Sequence, residues 1–153
     1  MSIAKKLKDL GITLPEPPRP VATYDPSVRT GNLLFISGQL PLVEGRLQKV
    51  GKVGTQFSIE EAQEAARRAT LNGLAVAQHA LGSLDKVSRV VRVTVYVAST
   101  SGFTDQPRVA NGASELLISI FGDAGRHARV ALGAFELPLG APVEIELILE
   151  VKD

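Results

Sequence analysis

The residues whose chemistry stands out lie in the last quarter of the chain. Arg129 is flanked by very small residues in the run His127-Ala-Arg-Val-Ala-Leu-Gly-Ala134, and glutamates recur along a second run from Val143 to Val151. Strand alternation puts Arg129, Ala131 and Gly133 on one face of the first run, and Ala128, Val130 and Leu132 on the other. In the second run Val143, Ile145, Leu147, Leu149 and Val151 share one face, and Glu144, Glu146, Ile148 and Glu150 share the other, the pattern of a half-buried strand. A guanidinium with open space beside it and carboxylates on a nearby strand together suit a small anionic ligand. The same residues also read as a structural ion pair, Arg129 with Glu144 or Glu146 at a sheet surface. Elsewhere, Ser37-Gly38-Gln39 sets a hydroxyl and a carboxamide around a glycine that lets the backbone approach a ligand, although a plain strand exit explains it equally well. Asn111 and His79 fall within helical stretches; Asn111 points either to water or into a site, and His79 reads as structural or solvent-facing.

These groups need elements to hold them. Residues 2 to 10 form a short amphipathic helix closed by Gly11, and Pro15, Pro17, Pro18 and Pro20 then impose an extended arm laid over the domain. Val21 to Tyr24 is expected as a first strand, with turns through Asp25-Pro26 and Thr30-Gly31-Asn32, and Leu33 to Ser37 as a buried one. Leu40 to Gly54 reads as a loop or loose hairpin. Ser58-Ile-Glu-Glu61 is a capping box opening a helix that runs to Leu81 and stops at Gly82. Val87 to Ala98 is a central strand, with Val91, Val93, Val95 and Val97 on one face and Val90, Arg92, Thr94 and Tyr96 on the other. A second helix starts at Thr104 or Asp105 with Pro107 in its first turn and reaches Gly122. About eight residues, including Pro138 and Pro142, separate the last two strands, too many for a two-residue hairpin, so these strands need not be neighbours. This order predicts an α+β fold with both helices on one face of a mixed sheet. The other face, carrying Arg129, Thr94 and Glu144 among apolar residues, is left for an oligomer whose pocket lies between subunits.

Composition narrows the classes. At 153 residues one domain is expected, burying roughly 68 to 70% of its unfolded surface. With 44% hydrophobic and 22% charged residues the chain is ordinary globular protein. Lys and Arg total 17 against 16 acids, a formal charge of +1, so the basic excess that drives nucleic-acid binding is missing. Cysteine is absent, which removes thiolate nucleophiles and Cys-based zinc sites, and two histidines without metal-ligand spacing argue against a metal. No run approaches a membrane span, and lysines interrupt the N-terminus where a signal's apolar centre would follow, so a cytoplasmic protein is expected.

Taken together, several motifs resemble the RidA (YjgF) family of reactive-intermediate deaminases. They are Tyr24; Gly31-Asn32 leading to Ile36-Ser37-Gly38-Gln39-Leu40-Pro41; the Val-rich strand; Asn111; Ala128-Arg129; Leu137-Pro138; and Glu144-Ile145-Glu146. The resemblance covers roughly residues 20 to 152, giving a division into an N-terminal helix and arm (1–20) and a RidA-like domain (21–153). It implies a chorismate-mutase-like fold in a homotrimer, with the last strand inserted beside the central one. The implied activity is hydrolysis of 2-imino acids to 2-keto acids and ammonia in clefts between subunits, without a cofactor. By position, Arg129 matches the arginine that grips the substrate carboxylate, and Glu144 the acid that orients water or shuttles a proton. Tyr24, Ser37, Gly38 and Asn111 match positions lining the pocket. The departures are Ala131 in place of a cysteine, Val130 in place of a serine, and His127 in place of a proline. Two other functions stay open: a non-catalytic sensor of small 2-keto acids or carboxylates in the same cleft, and an endoribonuclease, against which the near-neutral charge argues.

Overall fold

The computed structural model describes residues 1–20 and 22–153. Its elements are α1 (Ile3–Asp9), β1 (Ser27–Thr30), β2 (Leu33–Gln39), α2 (Ile59–Leu81), β3 (Val87–Ala98), α3 (Gln106–Phe121), β4 (Ala128–Ala134) and β5 (Val143–Val151), joined in places by single 3-10 turns. The five strands form one sheet in the order β1-β2-β5-β3-β4. Only β3 and β4 run parallel. The final strand is thus inserted at the centre, between β2 and β3, which is why the connection through Pro138 and Pro142 has to be long.

Local sequence explains the framework. Ser58 accepts from the backbone N–H of Glu61, whose side chain reaches back to the Ser58 N–H, and Gly82 closes α2 at φ 82°, a left-handed conformation that favours glycine. The small residues Ala62, Ala66, Ala69, Gly73 and Ala77 let α2 lie close to the sheet. α3 starts after Asp105, whose side chain makes no cap bond, and carries Pro107 in its first turn. Both helices cover the face bearing Val93, Val95, Val97, Ile145, Leu147 and Leu149, all essentially buried.

Three expectations are corrected. Val21 lies outside the described residues and Ala22 to Tyr24 form a bend; the first strand is Ser27–Thr30. Thr30 pairs with Leu33, so Gly31-Asn32 is the two-residue loop of a hairpin and the strand must precede it directly. In β3 the register shifts between Val90 and Arg92. That bulge turns Val90 under the helices beside Val93 and leaves Val91 off that face. The connection from Leu40 to Phe57 is also anchored, not loose. Val53 is fully buried and its N–H donates to the Ala98 carbonyl, while Asn72 Nδ2 donates to the carbonyls of Leu40 and Leu42.

Among the described residues no helix lies over the sheet's second face. Val28, Phe35 and Leu132 stand 55%, 40% and 48% exposed there, an apolar surface of the kind that marks an interface.

Candidate functional site

The candidate residues fall into two groups, one on each face of the sheet. Arg129 pairs in register with Val93, a buried residue of the helix-covered face, and paired side chains share a face. Its Nη1 donates to Asn111 Oδ1 at 2.9 Å and to Ser114 Oγ at 3.1 Å, both on α3. Residues 111 and 114 are three apart on a helix and so project together. Ser114 Oγ is in turn 2.8 Å from His127 Nε2, and His127 Nδ1 is 2.6 Å from the Gly125 carbonyl. Among the described residues Arg129 makes no ion pair. The structural ion pair with Glu144 or Glu146 therefore does not form, and among the described residues Nε and Nη2 have no partner on this exposed edge strand.

Glu144 belongs to the uncovered face. It pairs with Tyr96, and Glu146 with Thr94. Arg129 was expected on that same face; it lies on the opposite one, because the parallel register aligns it with Val93 and leaves Val130 opposite Thr94. Gly38 lies against Glu144: a Cβ built at Gly38 would meet Glu144 Oε2 well inside contact distance and Cδ at 3.0 Å. Glycine at 38 therefore makes room for the carboxylate. Burial, followed by the charge of Glu146, pushes the Glu144 carboxyl above its ordinary range. Tyr96 Oη donates to Glu146 Oε1 at 2.9 Å; that bond is the main reason its phenol is pushed up, with burial and the two nearby carboxylates adding to it.

Ser37 lines a groove of about 380 Å³ on this face, with Phe35, Arg92, Thr94, Glu146 and Ile148. Its hydroxyl donates to the Asp25 carbonyl at 2.7 Å, leaving oxygen lone pairs as its remaining offer to a ligand. Tyr24, next to Asp25, is 47% exposed and its side chain makes no hydrogen bond among the described residues. His79 is exposed near the end of α2. Sequence reading missed Ser114, Tyr96 and the position of His127 beneath Arg129; the one available signal was the three-residue spacing of Ser114 from Asn111.

From the register, Arg129 and Glu144 are two strands apart and three residues offset along β3, about 14 Å between Cα atoms. With side chains on opposite faces, no ligand of a few heavy atoms can touch both within one chain.

A family model described as "YjgF/chorismate_mutase-like, putative endoribonuclease" matches residues 4–151. The chain belongs to this family. Its fold is accordingly the chorismate-mutase-like α+β fold, as the motifs implied. Protein TCP17 of Trypanosoma cruzi is 43% identical over 152 residues, spanning 99% of this chain and 95% of TCP17. A 2-iminobutanoate/2-iminopropanoate deaminase of Dermatophagoides farinae is 30% identical over 141 residues, spanning 92% and 95%. The crystal structure of Atu1372, a protein of unknown function from Agrobacterium tumefaciens, superposes with a TM-score of 0.91 at 43% identity and covers 98% of this chain and 92% of its own. The YjgF family thus includes imine deaminases alongside members without an assigned activity. Among the described residues no helix is long and apolar enough to cross a membrane.

Proposed function

We propose that the protein hydrolyses 2-imino acids to 2-keto acids and ammonia, as a homotrimer whose sites join Arg129 of one protomer to Glu144 of the next. The observation that carries this reading is the split itself. A guanidinium with a free edge and a carboxylate with a raised pKa sit on opposite faces of one sheet, and the face bearing the carboxylate is apolar and uncovered. A second copy docking its β4 edge over that face completes both the sheet's burial and the site.

In this arrangement the guanidinium holds the substrate carboxylate in a two-point fork. A water attacks C2 of the iminium; its oxygen bonds to carbon, and Glu144 accepts the released proton. Glu144 then returns that proton to the nitrogen of the carbinolamine. The C–N bond breaks as the hydroxyl proton departs with the amine, leaving a keto acid and ammonium. A carboxyl whose pKa is raised toward the working pH suits both the accepting and the returning step. The family resemblance to a named imine deaminase supports the same chemistry. The two further family positions, Ser37 and Tyr24, are assigned to the pocket wall beside Glu144, with Asn111 on the arginine side.

The test is imine generation by an amino-acid oxidase with semicarbazide trapping. Wild-type protein lowers semicarbazone formation, and Arg129→Ala and Glu144→Gln abolish the effect. Wild-type protein that leaves the trapping rate unchanged while binding pyruvate would replace the enzyme with a carboxylate sensor.

A further inference from the structure

Arg129 is held by a hydrogen-bond chain that runs in one direction only. The Gly125 carbonyl can only accept, so the proton on the His127 ring is at Nδ1, and in the neutral imidazole Nε2 is bare. Nε2 therefore accepts from the Ser114 hydroxyl, and Ser114 Oγ, its own proton committed, offers its lone pairs to Arg129 Nη1. Asn111 Oδ1 takes the other Nη1 proton. Both hydrogens of Nη1 are thus used, and the guanidinium plane is fixed by two points on α3. The edge formed by Nε and Nη2 has no acceptor among the described residues. That edge is one of the two through which a guanidinium meets a carboxylate with parallel bonds.

We propose that Ser114 and His127 are positioning residues for substrate binding: they lock Nη1 so that the Nε–Nη2 edge of Arg129 is the one presented to the carboxylate of a small 2-imino or 2-keto acid. The proposal rests on the deaminase reading for the identity of the ligand, and on the hydrogen-bond chain alone for the lock. Ser114, 9% exposed and one residue deep behind Arg129, touches no substrate; it acts through the arginine. His127 stands a step further back and acts through Ser114.

The side chains of glutamine and asparagine separate this role from packing. Glutamine at 127 puts its amide oxygen where Nε2 was and keeps an acceptor for Ser114. Asparagine reaches only the Nδ1 position, so it keeps the Gly125 contact and leaves the Ser114 hydroxyl without its acceptor. Pyruvate affinity of the full-length protein is measured by calorimetry for wild type, Ser114→Ala, His127→Gln and His127→Asn, with thermal melts verifying that each variant folds. Ser114→Ala and His127→Asn should each weaken pyruvate binding about tenfold, the size of one hydrogen bond to a charged group, while His127→Gln stays close to wild type. In turnover the loss should fall on KM with kcat kept. Equal losses for His127→Gln and His127→Asn would overturn the proposal, since the lock requires the acceptor that only glutamine restores.

A second readout needs no ligand. In ¹⁵N-labelled protein, with His79→Gln used to assign the rings, His127 should show the Nδ1–H tautomer. The Arg129 Nη protons should be resolved in wild type and His127→Gln, and averaged by rotation in Ser114→Ala and His127→Asn. Should wild type neither bind pyruvate nor consume imines, the deaminase reading fails, and the resolved Nη protons still decide the lock. Averaged Nη protons in wild type would refute it whatever the activity.

Discussion

Replacing Gly38 by alanine is the sharpest small perturbation of the proposed acid. Gly38 lies in β2 outside the left-handed region, so its backbone accepts a side chain without strain, and the whole effect falls on what the methyl meets. Its three nearest contacts are all with one residue: Oε2 of Glu144 well inside contact, Cδ at 3.0 Å and Cγ at 3.3 Å. The far end of a flexible side chain yields more readily than backbone, so the carboxylate swings away by about 1 Å, a displacement that can cost up to about 10²-fold in rate. Forcing Glu144 off its rotamer costs about 0.5–1.5 kcal/mol, and each kcal/mol lowers the melting temperature of a chain of this size by about 2–4 °C. The expected result is therefore a folded protein, a few degrees less stable, with kcat/KM for a small imino acid reduced by one to two orders of magnitude in the semicarbazide assay. Full turnover by Gly38→Ala would refute the reasoning.

Two titrations test the electrostatics. Since the folded Glu144 carboxyl lies above its ordinary value, the native state binds more protons than the unfolded chain between those two pKa values, and its ionisation erodes stability as pH rises through that window. Glu144→Gln should thus be more stable than wild type in urea melts at neutral pH, with the gain fading as pH falls through the raised value; a pH-independent difference would contradict this. With two tyrosines and no tryptophan in the chain, ultraviolet titration resolves the phenols. Tyr96 should ionise above its ordinary range, and Glu146→Gln should bring it down, since the bond to Glu146 is the main cause of its shift.

Much of the framework could be read from the chain because it is written in local rules. The Ser58–Glu61 capping box, Gly82, and the alternation along Val143 to Val151 each depend on neighbours a few residues away, and each appears as expected. The bulge at Val90 was not readable, since an extra residue in a strand of valines leaves the composition unchanged and only the partner register reveals it. The same holds for Arg129. Alternation fixed which neighbours share its face, but which side of the sheet that face took depended on the parallel pairing with β3, a long-range contact that no local pattern encodes. His127 and Ser114 escaped for a related reason: they meet only after α3 has packed over β4. Glu144 and Gly38 were identified by motif, whereas the packing of one against the other is a property of the folded β2–β5 region.

The central claim is that no protomer holds a complete site. Arg129→Ala and Glu144→Gln proteins, each inactive alone, are mixed in equal amounts, unfolded, and refolded together so that protomers reassort. If each site draws Arg129 from one protomer and Glu144 from its neighbour, random trimers recover about one quarter of wild-type deaminase activity. A refolded mixture no more active than its two parents would contradict the account.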